Sequence, residues 1–201
     1  MNLAIFASGN GSNFSAIIKA IKKGRIKAGS VLLVCDKPDA RVIRRAQKAK
    51  VGVILVRRED FAGRADFEAA IIRRLKSYKI DLIALAGFMR MLSPDFVRKY
   101  CNRIINIHPS LLPAFKGSHA IKDALDAAAH FTGVTVHFVD EEMDHGPVIL
   151  QREVRIAKKD TLVSLEKRIH SVEHKLYPQA IRLFSEGKIK IKGRKVEISN
   201  P

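Results

Sequence analysis

The stretch "RIINIHPSLLP", residues 103–113, decides how this chain is read. Ile104, Ile105 and Ile107 belong in a buried strand, yet Asn106 and His108 interrupt them two residues apart. Side chains alternate across a strand, so the amide and the imidazole project from one face and Ile105 and Ile107 from the other. Pro109 keeps His108 extended and ends the strand. A carboxamide and an imidazole therefore share the carboxyl end of a strand, where open parallel sheets bind ligands. Acyl transfer suits the pair. Both donate to the oxygen of a carbonyl under attack, and the imidazole also moves protons.

Outward from this strand, apolar runs alternate with amphipathic stretches. "NLAIFAS" precedes "NFSAIIKAIKKG", in which Phe14, Ile17, Ile18 and Ile21 share one helical face. "SVLLVCD", "VGVILV" and "DLIALAG" are each followed by a helical pattern, the last opening with Ser93 as N-cap and Pro94 in its first turn. A helix is expected around 118–129, then strands "GVTVHFVD" and "VILQREV", then a long helix from about Thr161 to Ser185. The fold class is α/β: an open, mainly parallel twisted sheet with helices on both faces. One domain over 1–201 is expected, with a small C-terminal hairpin at about 187–199 turning at Lys192-Gly193.

Composition excludes several classes. No apolar run approaches the ~20 residues of a membrane span, and the start lacks the basic region of a signal peptide. Cys35 and Cys101 form neither a paired-cysteine motif nor a disulfide framework, so a reducing cytoplasm is the expected compartment. The net charge of +17 admits an anionic partner, but aromatic residues are only 6% and none interleave with basic ones to stack bases. No specific nucleic acid is expected. Small-molecule substrates are, and a homodimer is compatible with the chain.

Two further motifs carry chemistry. "SGNGSN", Ser8–Asn13, joins the first strand to the first helix and aims backbone N–H groups at an anion, with phosphate the natural guest. A dinucleotide fingerprint would need glycine where Phe14 stands, although Asp36 ends the second strand where a ribose-binding acid would be. "HSVEH", His170–His174, has zinc-ligand spacing on a helix, but no convincing third ligand follows; no metal is expected. The loop "DEEMDHGP" offers Asp140, Glu141, Glu142 and Asp144 as carboxylates that would hold His108 protonated, and spacing does not choose among them.

The ordered set "SGNGSN", "LAGFMRMLS", "INIHPSLLPAFKG", "GVTVHFVDEEMDHGPVI" and "VEHKLYP" resembles the phosphoribosylglycinamide formyltransferases, folate-dependent enzymes of purine biosynthesis, from residue 1 to about 186. That resemblance implies formyl transfer from 10-formyltetrahydrofolate to the amino group of glycinamide ribonucleotide. It implies Asn106, His108 and Asp144 as the catalytic trio, and Gly11, Ser12, Asn13, His170 and Glu173 as contacts to the ribonucleotide. It places Arg64, Met89, Arg90, Met91, Leu92, Asn106 and the loop Asp140, Glu141, Glu142, Met143 and Asp144 on the folate, with Arg64 and Arg90 facing its glutamate tail. The chain departs from the family pattern at Phe14 and at His145, where a small residue is usual. A formyltetrahydrofolate hydrolase would need no phosphate cradle. Related tRNA formyltransferases carry a further C-terminal domain, for which this chain is expected to be too short. A basic nucleic-acid-binding module on the same fold is the rival of another class.

Overall fold

The computed structural model describes residues 1–199, and these form two compact units, Met1–Ile105 and a second beginning at Asn106. The elements in chain order are β1 (Asn2–Phe6), α1 (Ser12–Lys22), β2 (Ser30–Cys35), α2 (Arg41–Ala49), β3 (Gly52–Leu55), α3 (Arg64–Leu75), β4 (Leu82–Leu85) and α4 (Pro94–Lys99). After them come β5 (Ile104–His108), α5 (Ala120–Asp126), β6 (Phe131–Phe138), β7 (Val148–Arg155), α6 (Leu162–Ser185), β8 (Ile189–Lys192) and β9 (Lys195–Ile198). Seven strands share one sheet in the order β3-β2-β1-β4-β5-β6-β7, and β8 and β9 pair separately. The β1–β2, β1–β4 and β2–β3 pairs are parallel and β6–β7 is antiparallel.

In the first unit, β4 is buried along its whole length and β1 and β2 nearly so, as strands covered on both faces must be. Phe14, Ile17 and Ile18 of α1 and Phe67, Ile71 and Leu75 of α3 supply the covering layer. Phe6 lies edge-on to both Phe88 and Phe96, at ring centroid distances of 5.3 and 6.2 Å. Ser93 caps α4 as its sequence position predicts, accepting the Phe96 N–H while Pro94 opens the helix.

In the second unit, β6 is buried from Thr132 to Phe138, whereas β7 is mostly exposed. Helix α6 buries Leu165, Ile169, Leu176, Tyr177, Ala180 and Ile181, and Thr161 and Ser164 close a reciprocal capping box at its start. Helix α5 is shorter than the expected 118–129. His119 is non-helical, and at the far end Ala128 turns left-handed (φ 48°) while Ala129 N–H reaches back to the Ala124 carbonyl. An alanine run gives no sequence signal for that stop. The terminal hairpin turns on Gly193-Arg194 between the paired Lys192 and Lys195, one residue later than expected.

Candidate active site

Two polar clusters emerge, one in each unit. In the second, β5 and β6 place Asn106, His108 and His137, and the turn after β6 brings Asp144. His137 is 2% exposed, and its Nδ1 lies 2.8 Å from the Phe138 carbonyl, which only accepts. Nδ1 therefore carries the hydrogen. Burial pushes the His137 pKa down, the Phe138 carbonyl and Asp144 opposing it less strongly. Nε2 of the neutral ring is then bare, and it accepts from Asn106 Nδ2 at 3.3 Å. That bond settles which way the Asn106 amide points.

His108 is buried, with Nε2 2.8 Å from the Phe115 carbonyl and Nδ1 3.4 Å from Asp144 Oδ2. Both neighbours are acceptors, so both contacts hold a hydrogen only when the ring is doubly protonated. Asp144 Oδ1 lies 3.8 Å from His137 Nε2, and Oδ2 also accepts the Gly117 N–H at 2.9 Å. Phe115 adopts φ 52°, a costly conformation for a bulky side chain. It is held there by the segment that closes on His108 and Asp144.

The four loop carboxylates that spacing left equivalent are now separated. Asp144 faces His108, whereas Asp140 accepts from His145 Nδ1 at 2.8 Å. Glu142 lies 3.6 Å from His145, and Met143 is 51% exposed. His145, the departure beside Asp144, is fixed from its other side by Arg194, which donates to Nε2 at 2.6 Å and to the His145 carbonyl at 3.1 Å. Gly146 admits no side chain: a Cβ would stand 1.9 Å from the Phe138 carbonyl oxygen. Asp144 and His145 border a cavity of about 490 Å³ with Leu112, Lys116 and Arg194.

The first unit holds the turn Ser8–Asn13. Gly11 takes φ 75°, and a Cβ on it would meet Val42 Cγ2 at 2.5 Å, so α2 itself demands glycine here. Val42 N–H donates to the Gly9 carbonyl at 3.1 Å. Arg45 donates to the Asn10 carbonyl at 2.7 Å, to Asn10 Oδ1 at 2.9 Å and to Ser15 Oγ at 3.2 Å. No side chain caps α1 and no acid lies in its first turn, so its positive end at Ser12 and Asn13 is open to an anion. Ser8 ties the turn to the next segment, its Oγ accepting the Met89 N–H at 3.1 Å.

Residues 1–181 match the family model described as formyl transferase. The chain is 48% identical over 179 residues to the phosphoribosylglycinamide formyltransferase of Bacillus subtilis, covering 89% of this chain and 92% of that one. It is 39% identical to the Escherichia coli protein of the same name, over 95% of this chain and 90% of the other. The solved glycinamide ribonucleotide transformylase 1 of Symbiobacterium toebii superposes with a TM-score of 0.97 at 40% identity, covering 100% of this chain and 94% of that one.

The chain belongs to the formyl transferase family.

Other predicted site residues of this formyltransferase fall within one unit or the other. Met89 and Met91 are 71% and 55% exposed, whereas Leu92 is buried. Arg90 pairs with the buried Asp36 through Oδ2 at 2.6 Å, while among the described residues Asp36 Oδ1 is left without a hydrogen-bond partner at the edge of a cavity that Arg90 also lines. Arg64 pairs with the buried Glu68 at 3.2 Å, and Glu68 also accepts from Ser93. Both arginines thus already answer to a carboxylate. On α6, His170 Nδ1 lies 3.0 Å from Glu173 Oε2, and that bond raises the His170 pKa. The His170 and His174 rings stack with centroids 6.4 Å apart, and burial lowers the His174 pKa. Among the described residues no group of three or more His, Cys, Asp or Glu is placed to hold a metal ion, and no helix is long and apolar enough to cross a membrane.

Sequence reasoning passed over His137, Arg45 and the Phe115 carbonyl. His137 had a readable signal, because "GVTVHFVD" carries a second imidazole within an otherwise buried strand. A backbone carbonyl and a surface arginine on a basic helix had none.

Proposed function

We propose that this chain transfers the formyl group of 10-formyltetrahydrofolate to the amino group of glycinamide ribonucleotide, within purine biosynthesis and in the cytoplasm. The observation that carries the reading is the cluster Asn106, His137, His108 and Asp144, in which every ring nitrogen and the amide are oriented by a named partner. The folate supplies the formyl carbon and the amine of the ribonucleotide attacks it. Negative charge then develops on the formyl oxygen, and the new bond to nitrogen replaces the old one.

Asn106 spends one Nδ2 hydrogen on His137, leaving the other to donate to that oxygen. His108, released from the Phe115 carbonyl, offers its Nε2 hydrogen to the same charge and can return a proton to the departing nitrogen. Asp144 orients the ring and balances its charge. The proton shed by the attacking amine leaves through the same acid–base group or water. The turn at Gly11, Ser12 and Asn13 holds the phosphate, and His170 and Glu173 contact the ribonucleotide. Met89 and Met91 offer open apolar surface for a flat ring, Leu92 backs them, and Asp140 to Asp144 complete the folate contacts. Arg64 and Arg90 lie on the folate side, their charge toward its glutamate tail offset by Glu68 and Asp36.

The test is an assay of folate-dependent formylation with and without glycinamide ribonucleotide. The reading expects formylated ribonucleotide as product and little formate when the acceptor is omitted. Formate released at the same rate without acceptor would instead assign a hydrolase.

A further inference from the structure

The charge of this chain is not evenly spread. Residues 1–105 carry 22 Lys and Arg against 8 Asp and Glu, whereas residues 106–201 carry 15 against 12. Within residues 1–50 the imbalance is 11 against 2. Helices α1 and α2 contain no acidic residue at all, and α1 starts in the Ser8–Asn13 turn while α2 is bonded to it through Val42 and Arg45. Lys19, Lys22, Arg41, Arg44 and Lys48 on these helices are exposed, and among the described residues none of them is in an ion pair.

A merely solubilising face would intersperse acids, as α6 does with Glu166 beside Lys167. A nucleic-acid groove would add aromatic platforms, but Phe6 and Phe14, the two aromatic residues in this stretch, are both buried. What remains is a one-sign field: Arg41 and Arg44 flank Val42, which is bonded to the turn, and Lys19 and Lys22 stand about 10–15 Å along α1 from it. We propose that the basic outer face of α1 and α2 concentrates phosphorylated small anions at the Ser8–Asn13 turn, so that exposed residues outside the turn tune affinity for the phosphate-bearing substrate. This rests on the functional reading above. The partner is a small phosphate ester, because its charge suits the field and it asks for no stacking surface.

The test compares wild type with the combined variant Arg41→Gln, Arg44→Gln, Lys48→Gln, none of which lies in the turn or the trio. KM for glycinamide ribonucleotide and kcat are measured from low salt to about 0.5 M, where the Debye length shrinks to roughly 4 Å. At low salt the variant's KM should rise roughly tenfold with kcat unchanged, and the gap should close at high salt. A KM equal to wild type at every salt, with formylation intact, overturns this inference alone. Absence of wild-type formylation overturns the functional reading instead, and the field is then read by titrating ribose 5-phosphate into both proteins. Equal affinities there would also defeat it. Saturable RNA binding at physiological salt, lost in the variant while KM holds, would assign the face to nucleic acid and overturn the proposal.

Discussion

The two units handle charge in opposite ways. The first carries a large excess of cations, with several on α1 and α2 in no ion pair among the described residues, while the second is closer to balance and fixes the groups around its site with polar partners: His108 beside Asp144 and the Phe115 carbonyl, His145 between Asp140 and Arg194, Arg168 with Asp160. Capture of an anion tolerates imprecision, because a field of like charges acts over a Debye length whichever rotamer each lysine adopts. Stabilising a charge that exists only in a transition state does not. Donors must be fixed beforehand, and fixing them takes buried partners such as the neutral His137 and the Phe115 carbonyl. Mutations in the two units should therefore fail differently.

The largest effect belongs to the second unit. His108→Ala and Asp144→Asn should each lower kcat by about a thousandfold or more while the protein still folds, measured as steady-state formylation alongside a melt. Asn106→Ala removes one oxyanion donor and should cost about 3 kcal/mol, roughly a hundredfold in kcat. His137→Leu leaves that donor in place but unoriented, so a smaller loss of roughly tenfold is expected; an effect equal to that of Asn106→Ala would make His137 a donor in its own right.

The first unit should move affinity instead. Ser12→Val crowds the turn and should raise KM for the ribonucleotide roughly tenfold with kcat within about twofold. A change confined to the folate KM would contradict the phosphate role.

The smallest effect concerns stability. Asp160 is held well below the usual carboxylate range by Arg168, then by Ser164 and the Ala157 N–H. A depressed native pKa contributes stability above the unfolded value of about 3.9 and loses it as pH falls further. Asp160→Asn should therefore melt a few degrees lower at neutral pH, with the gap closing below about pH 4. A gap that widens on acidification would show that the pairing is not what stabilises the start of α6.

Much of this was legible in the chain. Alternation at Asn106 and His108 placed both on one face of a strand, and Ser93-Pro94 marked a helix start, because these signals are local. The choice of Asp144 over Asp140 came from the family resemblance and was not legible in the spacing. It depends on the left-handed turn at Asp144 (φ 50°) and on a neighbouring His145 that takes Asp140 for itself. The pairing of Asp36 Oδ2 with Arg90, 54 residues away, was equally closed to a local reading. So was the support of Asn106 by His137, which needs β5 and β6 to be neighbours.

The division of labour reduces to one measurement: the single-turnover rate of formyl transfer with both substrates saturating, in Asn106→Ala and in Ser12→Val. The account predicts a rate roughly a hundredfold below wild type in the first and essentially wild type in the second. A normal rate in Asn106→Ala, with the loss appearing in Ser12→Val, would contradict it.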